Sequence, residues 1–414
     1  MTKPQIQTLK GFRDFLPTEK RARNFVMAKV TETFETFGFQ PLETPTLEYA
    51  DLLLGKYGDE ADKLVYNFED RGGRKIGLRY DQTVPSARVL AQYQSQLPKY
   101  FRRYQIQNVF RAEKPQKGRF REFTQCDIDI FGSNSPLADA EIMTCTYQAF
   151  KNVGFKNVIL KFNDRETLIK TLTPFANTQV NVFSIIQSID KLDKIKPEDV
   201  IAELVKKGLE KNTAEKTLTS IKNAEKSVNL KEIEQISIDL GMPKEAIQFT
   251  PTLARGLDYY TGMIFEVIIP EYSAGSCGGG GRYDNLIKDL GGPQIPATGI
   301  AFGFDRMVEA AQSLQIIPEN QGVEVLMANF DQQALATTLQ VTNKLRQLGI
   351  KTELYPNIDK LGKQFKYADQ NKIPYVFIVG EEETKNQTVS IKNMQTGEQK
   401  VISVEKLDSF RQTW

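Results

Sequence analysis

The chain has 414 residues, with 54 Lys+Arg against 52 Asp+Glu, 40% hydrophobic residues, three cysteines and no histidine. Without imidazole there is no Ser-His-Asp or Cys-His catalytic unit and no histidine metal ligand, and no side chain titrates between about pH 5 and 8 at its ordinary pKa. Acid–base work near neutrality is left to shifted carboxylates, lysines or water, so catalysis should rest on positioned charge and positioned substrate.

The length suffices for one large domain or two to three medium ones, each with its own core. A net charge of 54 − 52 = +2 neither requires nor excludes a nucleic-acid partner, because a basic patch fits inside a neutral total. Cys126, Cys145 and Cys277 are far apart, odd in number and form no Cys-x-x-Cys pair, which predicts reduced thiols in a cytosolic protein without structural zinc. MTKPQIQTLKGFRDFLP lacks a signal-peptide core and no run of about 18 apolar residues occurs, so a soluble, cytoplasmic protein with no membrane contact is expected.

From Thr18 to Phe37, Val26, Val30, Phe34 and Phe37 recur at helical spacing, and Gly38 sits where a left-handed residue would stop the helix. FQPLETPTLEYADLLL follows as an extended stretch interrupted by Pro41 and Pro45. Between Asp62 and Gly132, short apolar and charged runs alternate, as in KIGLRYDQT, YQIQNVFRAEK and FTQCDIDIFG, which predicts antiparallel strands covered on one face. From Lys191 to Glu232 there are ten lysines, eight acids and no aromatic residue. PEDVIAELVKKG there reads as a helix with Pro197 in its first turn and Gly208 at its end. NTAEKTLTSIKNAEK reads as another, with Asn212 and Glu215 as a capping box and Ala214, Leu218 and Ile221 on one face. Residues 164–241 are therefore expected to form a helical insertion in a β-rich domain, whose strands resume over Arg255 to Ile269 and Gly278 to Leu286. Beyond Gly322, VEVLMANF, TELYP and YVFIVG alternate with helical stretches Asp331 to Leu348 (Leu335, Leu339, Val341, Leu345, Leu348) and Asp359 to Asn371, a small βαβαβ unit. A hairpin, QTVSIKNMQTGEQKVISV, and a last short helix complete it.

Neither a Gly-x-x-x-x-Gly-Lys-Ser/Thr loop nor a Gly-x-Gly-x-x-Gly turn is present, so the two commonest nucleotide-binding folds lose support. Arg111 in NVFRAEKPQKGRFREFTQ, Arg255 in TLARGLDYYTG and Arg306 in ATGIAFGFDR remain. Three guanidiniums arriving from separate strands can grip a triphosphate without a glycine loop; singly, each reads as the partner of a surface carboxylate. SCGGGGRYD puts Gly278 to Gly281 in a strand context, where glycine is costly unless something must approach the backbone closely; a surface loop is the alternative.

These residues carry a resemblance. KGFRDFLP, TPTLE after the first helix, FRAE with a basic loop and FREFTQ, then GIAFGFDR, follow the order of class II aminoacyl-tRNA synthetase signatures. LRYDQT, RGLDYYTG and GGGGRYD resemble the histidine-binding segments of histidyl-tRNA synthetases, and KQFKYADQNKIPYVFIVGEEE resembles their anticodon-binding domain. The resemblance implies an α+β fold: an antiparallel-sheet catalytic domain over residues 1–318 with the insertion at about 164–241, and an α/β anticodon-binding domain over 322–414. It implies ATP-dependent activation of L-histidine to histidyl-adenylate, transfer to the 3′ end of tRNA(His), magnesium with ligands unknown, and a homodimer formed around Pro45.

By the same resemblance Arg111 and Arg255 are catalytic, flanking the α-phosphate. Glu113 reads the adenine edge, Phe123 stacks on the ring and Arg306 holds the γ-phosphate. Asp81, Thr83 and Gln125 surround the α-amino group; Asp129 and Tyr260 meet the two imidazole nitrogens, with Arg255, Tyr259 and Tyr283 beside them. Gln116, Lys117 and Arg119, with Lys114 and Arg121, face the acceptor stem, where lysine and arginine neutralise phosphates. Thr124 and the neighbourhood of Asp164 stand where bacterial members often carry histidine, and Asp129 where many carry glutamate, one methylene longer. Two other readings stay open: a non-catalytic regulatory or tRNA-sensing paralogue, against which the three arginines and the C-terminal unit weigh, and a class II synthetase for another amino acid, against which RGLDYYTG weighs.

Overall fold

Proline opens the first helix, Pro17–Thr36, where its missing N–H has no partner to lose, and Gly38 closes it at φ +77°. The Phe39 N–H reaches back to the Phe34 carbonyl at 3.0 Å, which turns the chain into the first strand. The computed structural model describes residues 6–54, 64–114, 120–193, 195–254, 260–319 and 322–409, and the chain divides into two compact units, 1–317 and 318–414.

In chain order the first unit contains strands β1 (Gln40–Pro41), β2 (Leu47–Tyr49), β3 (Asn67–Glu69), β4 (Lys75–Leu78), β5 (Phe101–Phe110), β6 (Glu122–Phe131), β7 (Ile159–Asp164), β8 (Ile247–Phe249), β9 (Met263–Ile268), β10 (Gly278–Arg282) and β11 (Ala297–Phe302). Strands β2, β4 and β3 make a small antiparallel sheet. Among the described residues the others form one sheet in the order β1-β5-β6-β11-β10-β9-β7-β8. It is antiparallel except at its edges, where β1 joins β5 and β8 joins β7 in parallel. Pro41, which cannot donate to a ladder, sits at such an edge. The expected run of strands between Asp62 and Gly132 is interrupted by a helix, Thr83–Gln92, inside the stretch that begins LRYDQT.

The longest ladder pairs all ten residues of β5 with all ten of β6, from Phe101 opposite Phe131 to Phe110 opposite Glu122. Side chains alternate across the pleat, so the two faces of β6 differ in kind. Cys126, Ile128 and Ile130 point into the main core with Phe265, Val267 and Phe302, against Val26, Val30 and Phe34 of the first helix and Ile142, Cys145 and Phe150 of helix Pro136–Val153. Each fully buried large side chain there contributes about 1.5–3 kcal/mol. Gln125, Asp127 and Asp129 point the other way, level with Gln107, Gln105 and Arg103 of β5.

The glycine run is a strand, not a loop. In β10, Gly280 is level with Ile300 of β11 and Phe265 of β9, and a Cβ on it would fall 2.1 Å from the Gly299 carbonyl oxygen. The arginine that ends the run is a staple: Arg282 binds Asp139 through Nε at 3.0 Å and Nη2 at 2.9 Å, and donates to the Ser133 and Ser135 carbonyls. The strand expected from Arg255 onward is β9, which begins at Met263; residues 255–259 lie outside the described residues.

Between β7 and β8 the chain runs through helices, Arg165–Leu172, Val182–Ile189, Pro197–Lys207, Lys211–Lys222 and Val228–Asp239. Gly208 takes φ +118° at the end of the third, and Ala214, Leu218 and Ile221 are buried on one face of the fourth. The expected capping box is not formed: the N-cap is Glu210, and Asn212 lies inside the first turn without a capping bond. The first four of these helices share an apolar cluster with Phe101, Phe131, Ile264, Tyr260 and Tyr283, so they cover part of the polar sheet face, whereas Leu230 and Ile233 of the fifth join the main core.

The second unit has strands β12 (Val325–Met327), β13 (Thr352–Leu354), β14 (Tyr375–Ile378), β15 (Thr388–Asn393) and β16 (Gln399–Ser403) in the order β13-β12-β14-β15-β16. The first three are parallel and the last two form the antiparallel hairpin. Helices Leu335–Gln347 and Leu361–Gln370 supply the crossovers. The buried stripe of the former is Thr338, Val341, Thr342 and Leu345; Leu339 and Leu348, expected on it, are exposed. Among the described residues no helix is long and apolar enough to cross a membrane.

Replacing Arg282 by Met should leave the Asp139 carboxylate buried without its cation and destabilise the first unit by about 3–5 kcal/mol. Denaturant unfolding followed by intrinsic fluorescence measures this; an unchanged midpoint would show the staple to be dispensable.

Candidate active site

The polar face of the β5–β6 ladder holds the chemistry. Arg103 is completely buried, and its Nη2 lies 2.6 Å from Asp129 Oδ2 and 3.7 Å from Asp127 Oδ2. Its Nη1 donates to Gln105 Oε1 at 3.2 Å, and Gln105 in turn donates to Thr44 Oγ1 at 2.8 Å. The Tyr283 hydroxyl donates a short hydrogen bond to Asp129 Oδ1. Gln125 Nε2 donates to Asp127 Oδ2 at 2.8 Å. Two carboxylates thus share one guanidinium.

Burial raises the pKa of both acids. Asp127 is pushed up to about 8, with Arg103 opposing the shift and Asp129 adding to it. For Asp129 burial again dominates, offset by Arg103 and by the Tyr283 hydrogen bond. Burial would lower the Arg103 pKa, but the charges of Asp129 and Asp127 outweigh it and raise it. The Asp129 carboxylate leans over β11: a Cβ on Gly299 would fall 1.9 Å from its Oδ1. Gly281 of β10 lies level with Gly299, so the floor beside Asp129 is bare backbone.

LRYDQT is a hub in which each side chain has its own task. Arg79 donates to the Thr44 and Asn108 carbonyls, and the Tyr80 hydroxyl to Glu113 Oε1 at 2.9 Å. Burial pushes the Tyr80 hydroxyl up to about 12, so it remains a donor. Asp81 Oδ1 accepts the Val84 N–H, and Gln82 bridges the strands by donating to the Gln107 and Gln125 carbonyls. Thr83 is the first residue of the helix and is half-buried.

At the opposite end of the ladder Arg111 lies between the rings of Tyr80 and Phe123, at 4.5 and 4.8 Å, with its Nε buried and without a hydrogen-bond partner. Phe123 therefore meets Arg111 on one face. From Phe123 to Asp129 is six residues of strand, about 20 Å. Arg306 stands near the start of helix Phe304–Ser313 and donates to the Ser276 carbonyl at 2.8 Å. Its neighbour Asp305 is gripped by Arg13, from KGFRDFLP, and by Arg23, which also donates to Thr124 Oγ1. Thr124 thus has a structural partner in place of an imidazole.

The structure therefore gathers Asp81, Gln125, Asp129 and Tyr283 on one face with Arg111, Glu113 and Phe123 at its far end, and Tyr260 is buried in the adjoining apolar cluster. Arg255 and Tyr259, and the loop residues Gln116, Lys117 and Arg119, lie outside the described residues. Sequence reasoning missed Arg103, Gln105 and Asp127. The signal was the alternation in RRYQIQ and TQCDID, which puts them on the same faces as the residues it found. Among the described residues no group of three Asp, Glu or Cys gathers to hold a metal.

A family model described as "Histidyl-tRNA synthetase" matches residues 11–307, and one described as "Anticodon binding domain" matches residues 314–413. A histidine–tRNA ligase of Phocaeicola vulgatus is 37% identical over 96% of this chain and 97% of its own length. One of Wolinella succinogenes is 38% identical over 96% of each. The crystal structure of a histidyl-tRNA synthetase from a Nostoc species superposes over the whole of both chains with a TM-score of 0.87 at 28% identity.

The raised pKa of Asp127 sets the sign of a pH effect. Below about pH 4 folded and unfolded chains both carry the proton; as pH rises the unfolded chain loses it first, so this group lowers stability progressively up to about pH 8. Asp127→Asn should therefore raise the thermal midpoint relative to the parent by an amount that grows between pH 4.5 and 8. A constant difference would show that Asp127 is ionised in the folded chain throughout.

Proposed function

The chain belongs to the histidyl-tRNA synthetase family and acts as a histidine–tRNA ligase, and from that premise we propose that the polar face of β5 and β6 binds histidine at its Asp129 end and ATP at its Arg111 end. The histidine carboxylate attacks the α-phosphorus; the bond to the bridging oxygen breaks, pyrophosphate leaves, and the terminal ribose hydroxyl of the tRNA then displaces AMP from the adenylate. The observation that carries this reading is the pairing of a fixed anion, Asp129 held by Arg103 and Tyr283, with a half-buried cation, Arg111, whose Nε has no hydrogen-bond partner, along one strand face.

Asp129 accepts the imidazole N–H and Tyr260 meets the other ring nitrogen, while Asp81, Thr83 and Gln125 take the α-amino group. A pocket that pairs both ring nitrogens leaves its own groups unpaired with any analogue that lacks them, which supports discrimination of about 10⁴ without editing. Arg111 and Arg255 stabilise charge growing on the α-phosphate, Glu113 and Phe123 take the adenine, and Arg306 takes the γ-phosphate. The work is positioning plus preorganised electrostatics, with no imidazole required. Magnesium bound with ATP would be held mainly by the phosphates, as this ion commonly is, and would offset their charge; among the described residues no group of three acids or cysteines forms a cage for it.

Gln116, Lys117 and Arg119 are assigned to the tRNA acceptor stem and the C-terminal unit to the anticodon. The chain is assigned to the cytoplasm as a homodimer joined around Pro45. The match to an anticodon binding domain over residues 314–413 favours the ligase over a non-catalytic paralogue.

ATP–pyrophosphate exchange with each standard amino acid should show histidine alone to be active. Exchange with another amino acid and none with histidine would overturn the reading. Arg255→Ala should lower the activation rate by at least about 10²-fold with little change in ATP binding, because its contact matters most in the transition state; an unchanged rate would remove it from the mechanism. Sedimentation should find a dimer, and an active monomer would contradict the assigned interface.

A further inference from the structure

Resting on the assignment of Asp129 to the imidazole, we propose that Arg103 is a positioning residue for histidine recognition, fixing the Asp129 carboxylate that receives the ring N–H. Arg103 occupies the β5 position level with Asp129 and is completely buried, too deep to touch a substrate held above the strands. Its contact with Asp129 is an ion pair at 2.6 Å, and Tyr283 grips the other carboxylate oxygen from the far side. Aspartate has a single rotatable bond between Cβ and its carboxylate, and the bare backbone of Gly299 lets that carboxylate lie down against β11. Without a cation behind it, the Asp129 carboxylate would be held from one side only, by Tyr283, and would be free to turn. The charge of Asp81 also acts on Arg103.

The guanidinium is itself held from a third direction. Nη1 donates to Gln105, and Gln105 is fixed by Thr44, just before Pro45. The orientation of the imidazole partner therefore depends on a chain of buried side chains, Thr44, Gln105, Arg103 and Asp129. A merely neutralising cation would need no such chain. Lysine at this position would keep the charge but not the fork that reaches Gln105 and both acids together.

The test uses the full chain with Arg103→Lys, Arg103→Met, and Arg103→Met combined with Asp127→Asn, the last measured against Asp127→Asn alone. The double change removes one of the two buried acids along with their shared cation, so it leaves fewer buried polar groups unpaired than Arg103→Met alone. Thermal midpoints establish folding. Exchange kinetics then give KM for histidine and for ATP, together with the preference for histidine over 2-thiazolylalanine, whose ring has no N–H. In the folded Met variants the histidine KM should rise about 10- to 100-fold, the loss of a hydrogen bond to a charged group, with the ATP KM within about threefold. The preference over the thiazole analogue should fall by a similar factor, and Lys should lie between Met and the parent. An unchanged histidine KM and preference in folded variants would overturn the proposal, as would equal rises for both substrates, which would mark Arg103 as a general structural cation. Failure of the parent itself to activate histidine would instead remove the functional reading on which the proposal stands.

Discussion

The ten-residue antiparallel ladder between β5 and β6 is the constraint from which the rest of the first unit follows. Because side chains alternate across it, one register fixes both what the helices pack against and what a substrate meets. A slip by one residue would send Cys126, Ile128 and Ile130 to the substrate side and bury Gln125, Asp127 and Asp129 against Phe34 and Phe150. The core and the site are therefore enforced by the same pairing, and the apolar face secures a polar one that could not secure itself. The bridge from Gln82 to the carbonyls of Gln107 and Gln125 locks that register from the substrate side as well.

The polar face carries a standing cost. Asp127 Oδ1, Asp129 Oδ2 and Arg103 Nε are buried without hydrogen-bond partners, and a lone guanidinium answers two acids. An apolar core of the same volume would be at least as stable. Groups held ready for a ligand instead of for each other are expected of a binding site, where stability is given up for preorganisation. In a chain without imidazole, Asp127 is the clearest described case of a carboxylate moved toward neutrality, and it lies on the same strand face as Asp129.

Much of this was legible from the residues alone. The first helix and its stop at Gly38, the helices after Asp164, and the parallel strands and hairpin of the C-terminal unit follow from periodicity and from glycine and proline punctuation. The acids and tyrosines proposed to face the substrate were named through family resemblance, and the structure places Asp81, Gln125, Asp129 and Tyr283 on one face. Where reading failed, non-local pairing decided the outcome. Nothing local in RRYQIQ says that Arg103 will stand opposite Asp129, since that depends on which strand becomes its neighbour. Likewise LRYDQT continues a strand-like run but turns into a helix, because Asp81 binds the Val84 N–H and Gln82 is drawn to β5 and β6. The stripe containing Leu339 has the right period, but the two threonines beside it bond back to their own helix and take the buried side.

The floor of bare backbone beneath the Asp129 carboxylate has a consequence for how amino-acid preference can evolve. At Gly299 and Gly281 there is no side chain left to shorten, and any Cβ meets a carboxylate or a neighbouring strand at once. Substitution there forces the carboxylate or the neighbouring strand aside. A variant that accepts a bulkier amino acid must gain its room from the walls, at Tyr260, Tyr283 or the helices that roof them, and those same residues hold the apolar cluster together. Enlarging the specificity of the proposed site is thus tied to weakening its roof, and the floor offers no second route.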